Sequence, residues 1–481
     1  KLRGVPKWYA SVIRKMLLSR AKQIRFLIGV AVLLIGSMSL FYFKAVPMKM
    51  MPFDNKSEIQ VVIDMPEGTT LEDTARATKA IGDYVATVNE VTDYEMYIGT
   101  ASPFNFNGLV RHYYHREGSN VADIQINLID KHHRKYQSHD IAKRIRPEIQ
   151  KVAAQYNANA KVVEVPPGPP VISTLVLEVY GNNQAEQLMA AKQAEQIFKR
   201  TEGVVDVDTY MEANQTEYRF TLNEKARLNG ITDQQIVQTM RTMLEGSEVG
   251  LLHPAHELDP VVIRVQPAKE NRSSLEDLKS LQIPTPSGGL IPLGEVVTVQ
   301  KGEIEQTLYR KNLQSVMYVV ADVAGLEESP AYSMAKMWDQ IGQIKAPSGV
   351  EVKQYLTKQP WLEDGVSVKW DGEWQVTYEV FRDLGIAYGI ALIVMYLLMV
   401  GWFQSFVTPM IIMVPIPLTL IGVIPGHWLF GAFFTATSMI GVIALAGIIV
   451  RNSILLVEFT IMRRKEGASL SEAVIESGIV R

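Results

Sequence analysis

The sequence predicts an α-helical transmembrane bundle joined to an α+β part built from ferredoxin-like βαββαβ repeats, and three observations predict it. Charge is segregated: from Leu384 to Val450 there is no Asp, Glu, Lys or Arg, whereas residues 54 to 383 carry charges throughout. Averages conceal this, because 481 residues with net charge −3 and mean hydropathy +0.04 describe an ordinary multidomain soluble chain. Within the charged region a strand–helix pattern runs once and then restarts. Finally, Thr435 to Arg464, TATSMIGVIALAGIIVRNSILLVEFTIMRR, is an apolar helix interrupted by Arg451 and Glu458.

Residues 1–25 hold Lys1, Arg3, Lys7, Arg14, Lys15, Arg20, Lys22 and Arg25 and no acid, interleaved with Trp8, Tyr9, Val12, Ile13, Met16, Leu17 and Leu18. That pattern reads as a cytoplasmic amphipathic helix lying on anionic lipid, with a solvated helix as the competing reading. The segment is too charged for a secretory signal. Residues 26–43 are an uncharged span whose basic start is cytoplasmic by the positive-inside rule. Met48, Met50 and Met51 follow, either interfacial packing or a soft-metal site.

Residues 54–167 give the first βαββαβ unit: strand 58–65, helix 71–88, strand 91–98, strand 121–128, helix 141–156 and strand 161–165. A proline-rich linker, residues 165–170, separates it from a second unit. That unit is split into 171–215 and 308–358, with strands at 174–180, 204–211, 315–323 and 350–355 and helices at 185–200 and 329–344. The insert, 216–307, has short strands at 218–222, 260–265 and 294–300 and helices at 233–244 and 275–281. Spans follow at 384–402, at 406–430, broken by Pro415, Pro417 and Pro425, and at 435–462. Four crossings return the chain to the cytoplasm at the basic cluster Arg463, Arg464 and Lys465, and 463–481 reads as a cytoplasmic tail, with a short amphipathic helix at 469–479, leading to a further span. A start at Lys1 without Met reads as a fragment of a longer protein.

Composition excludes several function classes. With no cysteine there are no disulfides, thiolate metal sites or thiol nucleophiles. Near-neutral charge leaves no nucleic-acid footprint, and no phosphate-binding loop supports direct use of ATP. No cofactor is expected. His112, His115, His132, His133 and His139 fit no compact metal site and read as solvated surface.

Arg451 is the residue that most needs a reason. If Arg463 and Arg464 mark the cytoplasmic surface, Arg451 lies about 12 residues inward, or about 18 Å at helical rise, near the middle of a hydrocarbon core about 30 Å thick. A charge there costs roughly 2.5–3.5 kcal/mol on insertion scales, so it faces protein or water and marks an ion path, a proton relay or a buried pair. The competing reading is an Arg–carboxylate pair that only fixes helix packing. Glu458 lies about 10 Å nearer the cytoplasm on a similar face; it either joins a proton path or pairs with local bases at the interface.

The segment Gly447-Ile-Ile-Val-Arg-Asn-Ser-Ile-Leu-Leu-Val-Glu-Phe459, behind a large region of paired βαβ units with an inserted domain, resembles the second half of a resistance-nodulation-division (RND) efflux permease. The resemblance covers essentially the whole chain. It implies that the spans are family helices seven to ten, that the two βαββαβ units are periplasmic porter subdomains and that the insert is a docking subdomain. It further implies a proton antiporter rather than an enzyme, a bacterial inner-membrane location, a homotrimer, and a periplasmic adaptor and outer-membrane channel as partners. Arg451 stands where the family has lysine, and Asn452 and Glu458 match. An arginine stays charged, so the titrating group of the relay is a carboxylate elsewhere.

Gly99-Thr-Ala-Ser-Pro-Phe-Asn-Phe-Asn-Gly108 resembles the family's switch loop, with Phe104 and Phe106 between Gly99 and Gly108 as a hydrophobic substrate gate; an ordinary loop anchor is the alternative. The function implied is export of hydrophobic or amphiphilic compounds. Heavy-metal efflux is an alternative, with Met65, Met96, Met189 and Met211 available as ligands. A non-transporting membrane scaffold or protein-export auxiliary is the alternative from another class.

Overall fold

The computed structural model describes residues 5–166, 168, 170–325, 328–345, 349, 351–361 and 365–480. Lys1, Arg3, Pro167, Pro169, Val350 and Arg481, named above in the basic helix, the linker, a strand and the chain end, lie outside the described residues. The chain forms two compact units, Lys1–Met211 with Leu308–Arg481, and Glu212–Thr307.

In the first unit, strands β1 (Glu58–Asp64), β2 (Val91–Thr100), β3 (Glu117–Leu128) and β4 (Asn159–Val163) form one antiparallel sheet in the order β2-β3-β1-β4. Alternation decides its two faces. Ile59, Val61 and Ile63 lie opposite Ile126, Ile124 and Ala122 and meet Ile81 of helix Leu71–Val85 and Ile141, Ile145 and Ile149 of helix Ser138–Ala154. Gln60, Asp64, Asp123 and Lys161 occupy the other face. Helix Leu71–Val85 starts where the Thr70 side chain accepts a hydrogen bond from the Asp73 amide.

A second sheet begins with β5 (Leu175–Tyr180) and β6 (Val204–Thr209). The chain then leaves for the inserted unit, where β7 (Thr216–Leu222), β8 (Ser247–Leu252), β9 (Val261–Val265), β10 (Gln282–Pro284), β11 (Leu290–Pro292) and β12 (Val297–Glu303) pair as β7 with β12, β8 with β9 and β10 with β11. Its core is small: Ala226, Ile231, Ile236, Ile283, Leu293, Val296 and Val297. Helix Asp233–Leu244 begins at a capping box between Thr232 and Gln235.

On return, β13 (Arg310–Lys311), β14 (Gln314–Val323), β15 (Lys353–Tyr355) and β16 (Ser367–Gly372) complete the second sheet in the order β13-β14-β5-β16-β15, with β6 also on β14. The strand beside β5 is β16, and of the strand expected at 350–355 only β15, Lys353–Tyr355, forms, as an edge parallel to β16. The sheet runs past residue 358 to Gly372. In β16, Val368 and Trp370 point into the core while Lys369 and Asp371 join Glu178 and Lys311 in ion pairs on the opposite face.

Among the described residues four helical stretches are long and apolar enough to cross a membrane: Arg20–Tyr42, Glu373–Phe403, Val407–Leu429 and Ala436–Lys465. The second starts directly at the end of β16, 11 residues before the apolar run at Leu384. The third breaks into helices Val407–Met413, Pro415–Leu418 and Leu420–Leu429, because prolines at 415 and 417 withhold the amides an unbroken helix needs. The terminal helices Val5–Leu17 and Leu470–Val480 lie against each other.

The joint between sheet and second span needs a glycine. Gly372 has φ +74° and ψ −144°, and a Cβ there would sit 2.7 Å from the Ser173 carbonyl oxygen. Gly372→Ala should destabilise the fold by about 1–3 kcal/mol from backbone strain, with the clash added; a lowered thermal midpoint of the purified protein is the measurement, and an unchanged midpoint would contradict it.

Candidate functional site: a membrane arginine and an ion-paired cleft

Helix Ala436–Lys465 is capped by Thr435, whose side chain accepts from the Ser438 amide. Its stripe Ala446, Val450, Ile454 and Val457 packs on Met399, Ile412 and Ile416 of the two preceding spans. Arg451 and Glu458 project about 20° apart and away from that stripe, since seven residues come close to two turns. Arg451, Asn452 and Glu458 are all exposed on this chain. Among the described residues none of the three has an ion-pair or side-chain hydrogen-bond partner. Glu458 does not pair with the nearby base Arg463, which is engaged by Glu466 and Glu476. The arrangement presents a permanent cation midway along a helix long and apolar enough to cross a membrane, on an exposed face of that helix.

The Gly99–Gly108 segment belongs to the first sheet and lies apart from these residues. It is pinned at both ends. The Ser102 amide donates to Asp123 (2.8 Å) and the Ser102 hydroxyl accepts from Gln60 and Asn105. The Asn105 carboxamide caps a short helix, Phe106–Arg111, by accepting from the Gly108 amide at 2.7 Å. Phe104 is 74% exposed and Phe106 46% exposed. Gly99, at φ +79°, sits inside β2 at a register shift between Ile98 and Thr100, and Gly108 sits in the helix, both departures from the open loop expected. Two bare rings thus stand on an anchored segment.

That short helix ends on a feature the sequence reading missed. The Arg111 guanidinium crosses to Asp322 of β14 (3.0 and 3.4 Å), and Asp322 also accepts from the Thr174 amide and hydroxyl. Alongside, Arg146 pairs with Asp206 (3.0 Å), and Lys161 bridges Asp64 of β1 and Asp208 of β6. These pairs line a cleft between the two sheets. His139, expected on a solvated surface, is buried there, with Nδ1 2.7 Å from Glu164 and Nε2 3.0 Å from Glu328. The available signal was a charge alternating with apolar residues inside short strands, as in Val204-Val-Asp-Val-Asp-Thr209 or Ala160-Lys-Val162. A cavity of about 60 Å³ at one end, lined by Met50, Phe53, Arg111, Arg146, Glu164 and Glu373, has room for a few waters only.

Electrostatics in the cleft run in two directions. Burial alone would push the Asp322 carboxyl up, but Arg111 and Thr174 outweigh it and hold it well below the usual carboxylate range; Lys161 and Arg116 do the same for Asp64. For Asp206 burial wins over Arg146, and its pKa is pushed up to about 6. A depressed carboxylate stabilises the fold above its unfolded pKa, near 3.9, and that stabilisation is lost as pH falls. Melting temperature should therefore drop below about pH 4, and less so in Asp322→Asn. Arg111→Met, by stranding a buried carboxylate, should cost about 3–5 kcal/mol, most of it regained when Asp322→Asn is added; additive losses in thermal unfolding would refute the pairing.

Comparison with known proteins agrees with the fold. The sequence model of the AcrB/AcrD/AcrF family matches residues 2–481. The chain is 27% identical over 308 residues to the swarming motility protein SwrC of Bacillus subtilis, covering 64% of this chain and 27% of that protein. It is 23% identical over 317 residues to the cobalt-zinc-cadmium resistance protein CzcA of Cupriavidus metallidurans, with 65% and 28% covered. With the probable efflux pump membrane transporter TtgB of Pseudomonas putida it shares 21% over 464 residues, with 95% and 41% covered. The crystal structure of a heavy metal efflux pump superposes with TM-score 0.72 at 17% identity, over 98% of this chain and 46% of that one. The chain thus spans less than half the length of these proteins. With a match along nearly its whole length and the same fold, it belongs to the AcrB/AcrD/AcrF family of RND efflux permeases.

Proposed function

We propose that this chain is part of a proton-driven exporter of hydrophobic or amphiphilic compounds, with Arg451 as the fixed cation of its proton relay. The observation that supports the reading is an exposed guanidinium midway along an apolar helix, without an ion-pair partner among the described residues and about a quarter turn from the stripe that packs on the neighbouring spans. Its titrating partner is a carboxylate from a neighbouring transmembrane segment, whose protonation releases the pair; Asn452 and Glu458 extend the path toward the cytoplasm. In this reading the βαββαβ units are ferredoxin-like porter repeats outside the inner membrane. The Glu212–Thr307 unit is the docking subdomain, and the assembly is a homotrimer with an adaptor and an outer-membrane channel. Phe104 and Phe106 gate the substrate path, which their exposure on a pinned segment supports.

A second reading, metal-ion efflux, is favoured by the relative named for cobalt, zinc and cadmium resistance. Against it, Met65 packs in the first core and Met211 against the second, far from a shared site, and Met96 and Met189 lie exposed on separate elements. Among the described residues no group of three His, Cys, Asp or Glu is placed to hold a metal.

Dye efflux from energised cells separates the readings. Arg451→Ala should reduce export to the level of a deletion strain at unchanged membrane abundance, whereas a scaffold would keep its activity. Phe104→Ala with Phe106→Ala should weaken handling of large apolar substrates by about tenfold or more, given about 1.5–3 kcal/mol per buried aromatic side chain. Sensitivity of the deletion strain to cobalt or copper alone, without dye sensitivity, would instead establish metal efflux.

A further inference from the structure

The end of the cleft nearest the spans is closed by a clamp built around His139, the second residue of helix Ser138–Ala154. Its Nδ1 makes a 2.7 Å hydrogen bond with Glu164, just past β4 of the first sheet. Its Nε2 lies 3.0 Å from Glu328, past β14 of the second sheet, an ionic contact off the hydrogen-bond axis. Glu328 is also held by Lys143, whose ammonium reaches the Gly325 carbonyl at 2.9 Å. The imidazole is stacked on the Phe53 ring at 3.6 Å between centroids and 14° between planes. The buried Lys49 ammonium sits 3.2 Å from the centroid of that ring, a spacing that puts the two groups on opposite faces.

The clamp is wired to the helix that carries Arg451. The segment holding Lys49 is bonded to the loop before that helix by Lys49 N to Phe434 O (3.1 Å), Phe434 N to Pro47 O (3.0 Å) and Ala436 N to Met50 O (3.1 Å). One short strap therefore touches the spans and, through Phe53, the cleft.

We propose that His139 is a proton-operated latch: protonated, it bridges Glu164 of one βαββαβ unit and Glu328 of the other and holds the cleft shut; neutral, it releases Glu328 and lets the cleft open. Of the other cross-cleft cations, burial works against Arg111 and Lys161, but the facing carboxylates outweigh it and raise both pKa values, so these two fasten without switching. Facing His139 are Glu164, Glu328 and Lys143, with Lys49 beyond Phe53 and Arg111, Arg146, Asp322 and Glu373 around the adjoining cavity.

Burial works against the imidazolium, but the two carboxylates outweigh it and raise the His139 pKa above its ordinary value; in return Glu328 is drawn down to about 2. A raised histidine contributes fully below its unfolded pKa, near 6.5, and that contribution is lost as pH rises through the raised value. Opening is thus expected on the alkaline side. Asp206, pushed up to about 6, discharges its pair with Arg146 on the acid side and limits closure there.

The absence of native cysteine makes a direct test possible. Val323→Cys, or Val171→Cys if the first fails to fold, places a single thiol on the cavity wall, and maleimide labelling in native membranes reads its accessibility. Rates are normalised to Leu258→Cys, on a fully exposed loop position, to remove the pH dependence of thiolate formation. The normalised rate should rise with pH by up to about tenfold per unit, the limit for one proton. His139→Gln and, separately, Glu328→Gln should make it high and flat. A flat profile in the parent, or an unchanged rise in both variants, would overturn the latch. The readout involves no transport, so this outcome is independent of whether Arg451→Ala stops export.

Discussion

Asp322 is the point through which the two sheets are fastened. It is the penultimate residue of β14, takes the Arg111 guanidinium from the side of the first sheet and ties down Thr174 just before β5. Buried pairs of this kind return little net stability, because desolvation offsets most of the attraction. Their effect is geometric. Removing one partner strands a charge, so the sheets are held to one relative position while the pairs persist. The Phe104/Phe106 segment inherits that position, since its helix runs directly into Arg111.

The membrane part follows a different logic. Each span shows most of its apolar surface outward, and contacts among the four are limited to narrow stripes such as Ala446, Val450, Ile454 and Val457. In lipid such surface costs nothing, so packing alone does not place Arg451. What does place it is helix periodicity, which turns it away from the stripe by roughly a quarter turn. Spans and sheets are joined at Gly372, where β16 becomes the second span, and the strap from Pro47 to Met50 is hydrogen-bonded to the start of the last span.

Much of this was legible in residue order. Helix Asp233–Leu244 starts at a capping box between Thr232 and Gln235, a purely local interaction. In the first sheet, Ile59, Val61 and Ile63 share one face by the two-residue period of a strand. The strand β16 was hidden for the same reason that it matters: Lys369 and Asp371 look solvated until Glu178 and Lys311, distant in sequence, are brought beside them. His139 was misread likewise, since Glu164 and Glu328 flank it only after both sheets have formed.

Sequence alone therefore determined what depends on periodicity and composition: four apolar stretches, a repeated βαββαβ pattern interrupted by an insert, and a cation deep in an apolar helix. These are one-dimensional properties, fixed by side chains a few residues apart. Only the tertiary structure decided which strand lies beside β5 and which carboxylates answer Arg111, Arg146, Lys161 and His139. Each of those outcomes joins groups separated by tens to hundreds of residues, and the energy that selects them exists only when the chain has folded and water has been excluded between them.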